Sequence, residues 1–320
     1  MKSARSPLFT GLILACACQA ASAQDVTHNV TVTQQGNGNT AYAEQYAVTT
    51  EYTGARLTIT QIGDSNHVGG PGGTDSGVIQ RNTPIGLLVA EVLQTGRGNN
   101  AGLIQENNGN AALAASARIT QTGTGNDATF RQFTTSYAEA IVEQNGYGNL
   151  TRIEQTYSGD ASLRSAQNGT GNRVTISQSG ATYGGPNVDQ DGDGNTAPVV
   201  TVGAIGGGPT IAQTGSLNDA SVLQNIKGFD SGTAIRQQGL GNHADTTLSG
   251  EGQRTDITQT GNGNLASVTQ TGVTGSLLGN FALIAQLGTS NTAIVRQVGA
   301  SYNANVSQAG SGNYTNIYQH

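Results

Sequence analysis

Apolar and polar residues alternate with a period of two along most of this chain, in stretches of five to seven residues cut by glycine. Asn126, Ala128, Phe130 and Gln132 share one parity, as do Asn172, Val174, Ile176 and Gln178, and Asn264, Ala266, Val268 and Gln270. The opposite parity carries Arg152, Glu154, Arg173, Asp219, Arg296 and other polar residues. Successive side chains of a strand point to opposite faces, so this pattern predicts half-buried strands and no helix.

The alternation is organised by a repeat. The pattern Gln-x-Gly-x-x-Asn starts at Gln34, Gln61, Gln94, Gln121, Gln144, Gln167, Gln190, Gln213, Gln237, Gln259, Gln286 and Gln308. Its asparagines are Asn39, Asn66, Asn99, Asn126, Asn149, Asn172, Asn195, Asn218, Asn242, Asn264, Asn291 and Asn313. Its glycines are Gly36, Gly63, Gly96, Gly123, Gly146, Gly169, Gly192, Gly215, Gly239, Gly261, Gly288 and Gly310, and they supply the positive φ of a tight turn. A second Gln follows eleven residues after the first at Gln45, Gln105, Gln132, Gln155, Gln178, Gln224, Gln270, Gln297 and Gln319. Thr201 and Leu248 replace it in two copies, and in the second copy an insertion displaces it, with Gln80 as the candidate. Two residues before the first Gln, eleven of the twelve copies place Val or Ile, Ser165 being the exception.

Each copy therefore reads as strand, turn, strand, turn, with copies beginning near residues 29, 56, 89, 116, 139, 162, 185, 208, 232, 254, 281 and 303. Insertions interrupt the pattern near 46–56 and 69–84. One copy cannot bury its apolar face alone, so neighbours must stack. The expected fold is all-β: a β-solenoid of about twelve repeats forming two parallel in-register sheets. In-register stacking sets each inward Gln on the next Gln and each Asn on the next Asn, so their amides form ladders. Twelve layers about 4.8 Å apart make a rod on the order of 58 Å long.

Composition narrows the function classes. The chain has 320 residues, 47 Gly, no Trp, one Met and 11 % charged residues. Lys2 and Arg5, then the apolar run from Leu8 to Ala15 and the small-x-small triplet Ala21-Ser22-Ala23, predict a secretory signal over 1–23 and a mature chain 24–320. Ile13-Leu14-Ala15-Cys16 also resembles a lipoprotein cleavage box, so a lipid on Cys16 stays open beside cleavage after Ala23. Both cysteines, Cys16 and Cys18, fall inside the signal, which leaves the expected mature chain without disulfides or thiol sites. Without Lys2 and Arg5, twelve basic residues face twenty acidic ones, a poor basis for nucleic-acid binding.

Paired Gln residues eleven apart, with Gly and Asn at fixed offsets, in repeats of about 22 residues behind a secretory signal, resemble the curlin repeat of bacterial curli subunits. The resemblance covers about Asn29 to Gln319. It implies a structural subunit, with no cofactor, that passes an outer-membrane export pore and polymerises outside the cell. The product is a β-solenoid amyloid serving adhesion and biofilm matrix. It implies self-association, a nucleator and accessory factors as partners, and contact with host or matrix surfaces. The inward positions of the family map onto Gln34, Asn39 and Gln45 and each later copy. This chain has more repeats than the best-known members and lacks an obvious non-repeat segment after the signal, where such a pore would recognise it. Major subunit and nucleator both remain open, with near-uniform inward amides favouring the major subunit.

His28, His67, His243 and His320 occupy no repeated position, and no Ser/His/Asp order or carboxylate pair recurs, so no enzyme is expected. Asp189-x-Asp191-x-Asp193-Gly194 matches the opening of a calcium loop, but Val200 stands where the bidentate Glu belongs. A soluble β-solenoid adhesin is the alternative to a fibre. An ice-binding face is rejected, because only two copies carry Thr on both sides of the Val or Ile (Thr31/Thr33 and Thr58/Thr60). Tyr314 and Tyr318 fall on outward parity and are either exposed aromatics or a fibre-joint contact. Residues 257–320 hold no acid and one Arg, Arg296, and no Pro follows Pro209, so these copies are expected to be the most fibre-prone. Pro186, Pro198, Pro209 and Thr201 make the seventh copy the expected weak layer.

Overall fold

Strands follow one another without a helix among the described residues, because no stretch between two turns is long enough or periodic enough for one. The computed structural model describes residues 28–47, 53–69, 77–82, 86–107, 114–133, 137–181, 183–203, 206–226, 231–273 and 279–320. The predicted signal segment, with Lys2, Arg5, Cys16 and Cys18, lies outside them.

The strands form two parallel sheets of twelve and fourteen strands, and the chain alternates between the sheets to build a β-solenoid. Coils are numbered here by their first glutamine, from coil one at Gln34 to coil twelve at Gln308. Sheet one holds the arm that carries this residue, and sheet two holds the arm after the asparagine. The register is that of the repeat: Gln34 pairs with Gln61, Gln61 with Gln94, and so on to Gln286 with Gln308. A one-residue slip would turn every Val and Ile outward, which is why the apolar parity holds the register.

The core runs the length of the rod between the sheets. Ile59, Val92, Ile119, Val142, Val188 and Ile211 line it from sheet one, each at most 1 % exposed. Sheet two contributes larger side chains such as Leu103, Phe130, Ile153 and Ile176, and a column of small ones, among them Ala101, Ala128, Ala197, Ala220 and Ala244. The small column has a steric reason. From coil two onward the first Gln reaches across at this level to a sheet-two carbonyl, as Gln121 does to Asn100 O at 2.8 Å. Only a short side chain leaves it room.

The insertions occupy less of the chain than the sequence pattern implies. Val68 pairs with Ala101 and Val78 with Leu103, so residues 69–77 stand where coil three has Gly102 alone. The strand resumes at Val78–Asn82, inside the expected insertion 69–84, because its alternation again matches the neighbouring coils. Similarly, Thr53–Asp64 extends sheet one into the expected insertion 46–56 and pairs with Gly86–Arg97.

Candidate functional site

The first-arm glutamines form an unbroken ladder. Each donates from Nε2 to the next Oε1, from Gln34 to Gln61 at 2.7 Å through to Gln286 to Gln308 at 2.8 Å. The second N–H of most of these amides goes to a backbone carbonyl of sheet two, as from Gln213 to Thr196 O at 3.0 Å. Both amide donors are thus satisfied in a buried setting, where an unmade bond costs about 1–3 kcal/mol. Gln34, in the first coil, is half-buried, whereas Gln61 through Gln286 are fully buried.

The asparagines do more than stack on one another. Asn126 Oδ1 accepts from the backbone N of Asn149 and from its Nδ2, both at 3.1 Å. Asn149 Nδ2 also donates to Asn145 O in its own turn and to Gly169 O in the next coil. The asparagine therefore closes its turn and laces it to the next, as Asn39, Asn66, Asn99, Asn172, Asn195, Asn218, Asn242, Asn264 and Asn291 also do toward the following glycine. Close packing of these turns explains the glycine. Gly146 has φ +121°, and a Cβ there would lie 2.0 Å from Gly169 O. The left-handed position two residues on is different: Gly148 has φ +64° with open space around it. Ser65, Leu217 and Ser290 take that position in their coils.

The second-arm ladder is interrupted. Gln45, Gln80, Gln105, Gln132, Gln155 and Gln178 are joined by five bonds of 2.8–3.0 Å, with Gln80 in the place its displaced position suggested. Gln270, Gln297 and Gln319 form a second run. Between them the sequence expectation for Gln224 fails. Its neighbours are Thr201 and Leu248, so it has no amide to meet and donates instead to Thr233 Oγ1. Among the described residues, Gln224 Oε1, Thr201 Oγ1 and Thr246 Oγ1 are buried without a partner. Pro198 adds a backbone gap, since the pairing of coils seven and eight skips from Thr196 to Val199. Pro186 and Pro209 do less harm: each sits just before a strand and accepts through its carbonyl, from Arg164 N and Asn187 N.

Two inward groups escaped the sequence pattern. Thr151 replaces the small residue of coil five, and its hydroxyl accepts from Gln144 and donates to Gln167. Beside it lies Ser165, the one polar residue in the Val/Ile column. At the opposite edge, Asn280 donates to Gln253 Oε1 at 3.0 Å and to Gly299 O, repeating the asparagine device. Its signal is positional, because Gln253 and Asn280 each stand six residues before the first Gln.

The outer faces carry scattered charge. Arg164 bridges Glu143 at 2.9 Å and Asp189 at 2.5 Å. Burial opposes its charge, but these two carboxylates outweigh it and raise its pKa. His243 Nδ1 lies 3.1 Å from Asp219. That hydrogen bond, chiefly, raises the imidazole pKa against partial burial, with help from the charges of Asp219 and Asp245. The calcium-like run is extended strand: Asp189 meets Arg164, Asp191 accepts from Asn168, and Asp193 accepts from Thr170 N. Carboxylates spaced along a strand, about 6.6 Å from one to the next, do not converge on one ion. Tyr314 and Tyr318 are exposed on sheet two, with Arg296 over the Tyr318 ring at 5.5 Å and His320 stacked on it at 4.8 Å. No protein-family model matches the chain, and no curated protein matches it.

Proposed function

We propose that this chain is the structural subunit of a secreted, extracellular, curli-type amyloid fibre that grows by stacking solenoids end to end. In this reading it reaches the cell surface through an outer-membrane export pore, starts growth on a nucleator, and serves adhesion and biofilm matrix. The observation that carries the reading is the state of the ladder at its two ends. Every first-arm glutamine that meets another points its Nε2 donor toward the following coil, so this ladder has a direction. Among the described residues nothing donates to Gln34 Oε1 at one end. At the other, Gln308 meets no further first-arm glutamine among the described residues, and its Nε2 donates to Thr315 Oγ1 in addition to Thr292 O. A second copy added head to tail would set the Gln308 donor against Gln34 Oε1, whereas head-to-head contact would oppose like groups. The edge arms support the same reading: 303–311 and 314–319 are more exposed than the arms inside the stack. Open strand edges template further pairing.

Glycine geometry supplies the test. In each inner coil, the Cβ that Gly36 or its equivalents lack would strike the carbonyl of the next coil. At Gly310 it would meet only Asn313 Nδ2 at 3.7 Å, with the remaining space open to an incoming copy. At Gly312 it would meet nothing, as at the equivalent Gly98, Gly125 and Gly148 inside the stack. Thioflavin T time courses on chains starting at Gln24, released from denaturant, would compare Gly310→Ala with Gly312→Ala, with circular dichroism as the control for folding. The expected result is a seedable sigmoidal rise for the parent chain and Gly312→Ala, cross-β diffraction near 4.7–4.8 Å and about 10 Å, and slowed or absent growth for Gly310→Ala. A parent chain that stays a soluble β-rich monomer without seeding would replace the fibre by a soluble solenoid adhesin.

A further inference from the structure

The two outer faces of the rod carry charges that match each other in position. In coil five, Gln144 of sheet one donates to Thr151 Oγ1 of sheet two across the core at 3.2 Å. One residue from each end of that contact, away from the glycine turn, are Glu143 and Arg152. Because side chains alternate, both point outward, from opposite faces but at the same level and the same distance from the turn. Coil nine repeats these two columns with the signs exchanged. Arg236 precedes Gln237 as Glu143 precedes Gln144, and Asp245 stands third after Asn242 as Arg152 stands third after Asn149. A further pair lies nearer the turn: Gln190 donates to Arg173 O across the core, and Asp191 follows Gln190 on the outer face of sheet one. Arg152, Arg173, Asp191 and Arg236 are exposed, and no ion pair among the described residues engages Arg152 or Arg173.

We propose that these faces form a lateral interface between copies of this chain, with sheet two of one rod flat against sheet one of a second, the rods parallel and their coils level. That arrangement sets Arg152 against Glu143 of the second copy, Asp245 against its Arg236, and Arg173 beside its Asp191, one coil away. The receiving face is grooved. A hollow of about 430 Å³ runs along sheet one where Ala166 and Ala212 leave space on either side of Asp189. Glu143 already holds Arg164, but a carboxylate has lone pairs for a second guanidinium.

The sign exchange between coils five and nine fixes the register. A slip of four coils would set Arg152 against Arg236, or Asp245 against Glu143. A slip of two keeps Arg152 opposite Asp189 but leaves Asp245 opposite Ala285. Only the level arrangement satisfies both columns, and like charges in contact are what specificity uses against the alternatives. The interface needs no end-to-end growth, so it holds for single rods as well as for fibres.

The test has two readouts. Electron microscopy would measure the width of fibre bundles for Arg152→Glu with Arg173→Glu, for Glu143→Arg with Asp191→Arg, and for all four changes together. Each face altered alone should separate bundles into single filaments, and the fourfold variant should restore them. Cross-linking reads the same contact whether or not fibres grow. In a chain with Cys16 and Cys18 replaced by Ser, a short bis-maleimide that spans the roughly 10 Å between stacked sheets should link an Arg152→Cys copy to a Glu143→Cys copy at least tenfold more than it links Arg152→Cys to Thr210→Cys. Bundles of unchanged width in the single-face variants, or equal dimer from the Thr210 control, would overturn the proposal.

Discussion

In sheet two, Gln224 lies directly opposite Thr201 of the preceding coil, and the side-chain oxygen of each is buried with no hydrogen-bond partner among the described residues. Leu248 sits on the other side of Gln224, so the second ladder is interrupted twice within three coils. The fault lies where the prolines had marked the seventh copy, and it extends two coils beyond.

Repairing that fault should stabilise the rod. Thr201→Gln with Leu248→Gln would let the amides run without a break from Gln178 to Gln270, and about 1–3 kcal/mol is expected from satisfying the buried Gln224 oxygen alone. Urea denaturation of the double variant against the parent chain would read it. A variant no more stable than the parent would mean that the break is already filled by other means.

The unbroken ladder should be correspondingly sensitive. Gln144→Leu roughly keeps the side-chain volume but orphans one N–H of Gln121 and also removes a partner of Thr151, whereas Gln167 Oε1 keeps the Thr151 hydroxyl as its donor. The orphaned Gln121 donor predicts about 1–3 kcal/mol of destabilisation. Exposed Asn145→Ala, one residue on, should cost well under 1 kcal/mol, the range of ordinary surface substitutions.

The two glycines of a turn should separate cleanly. Gly146→Ala faces a backbone carbonyl at 2.0 Å, which must move, whereas Gly148→Ala meets open space and carries only left-handed strain. About 1–2 kcal/mol is expected for Gly148→Ala, and loss of cooperative folding for Gly146→Ala. Thermal melts followed by circular dichroism would show both.

His243 gives a pH signature. Its folded pKa is raised through Asp219, so its contribution is fully present below the unfolded value, about 6.5, and is lost as pH rises through the folded value. Replacement by Gln should therefore lower stability at pH 5.5 and leave it unchanged at pH 8.5. An equal effect at both values would remove the ion pair as the cause.

Peptides should reproduce the uneven charge along the rod. A segment covering 257–320, without acidic residues, is expected to fibrillise faster than one covering 121–180, which carries Asp127, Glu139, Glu143, Glu154, Asp160 and four Arg. Slower growth of the C-terminal peptide would show that charge is not the limiting gatekeeper.

How much of this was legible in the chain itself depends on the distance over which each feature is written. Strand identity, inward parity and the Gln34, Asn39 and Gln45 ladders follow from local alternation and a repeat of near-constant spacing. Both are properties of neighbouring residues and of stacking like on like. Gln80 could be named but not placed, because nine residues intervene between two halves of one strand, and only pairing with Ala43–Ala47 and Asn100–Asn107 shows that they join. The isolation of Gln224 needed the positions above and below it. So did the second role of the asparagines, whose Nδ2 groups lace one turn to the glycine carbonyl of the next. The match between Arg152 and Glu143 needed the cross-core contact from Gln144 to Thr151, which sets how far each arm has advanced from the turn. The sequence by itself determined which side chains point inward and that coils stack in register, since a period of two allows one apolar face. The tertiary structure alone decided which inward groups find partners and which outward charges share a level, because those depend on how the two arms are set across the core.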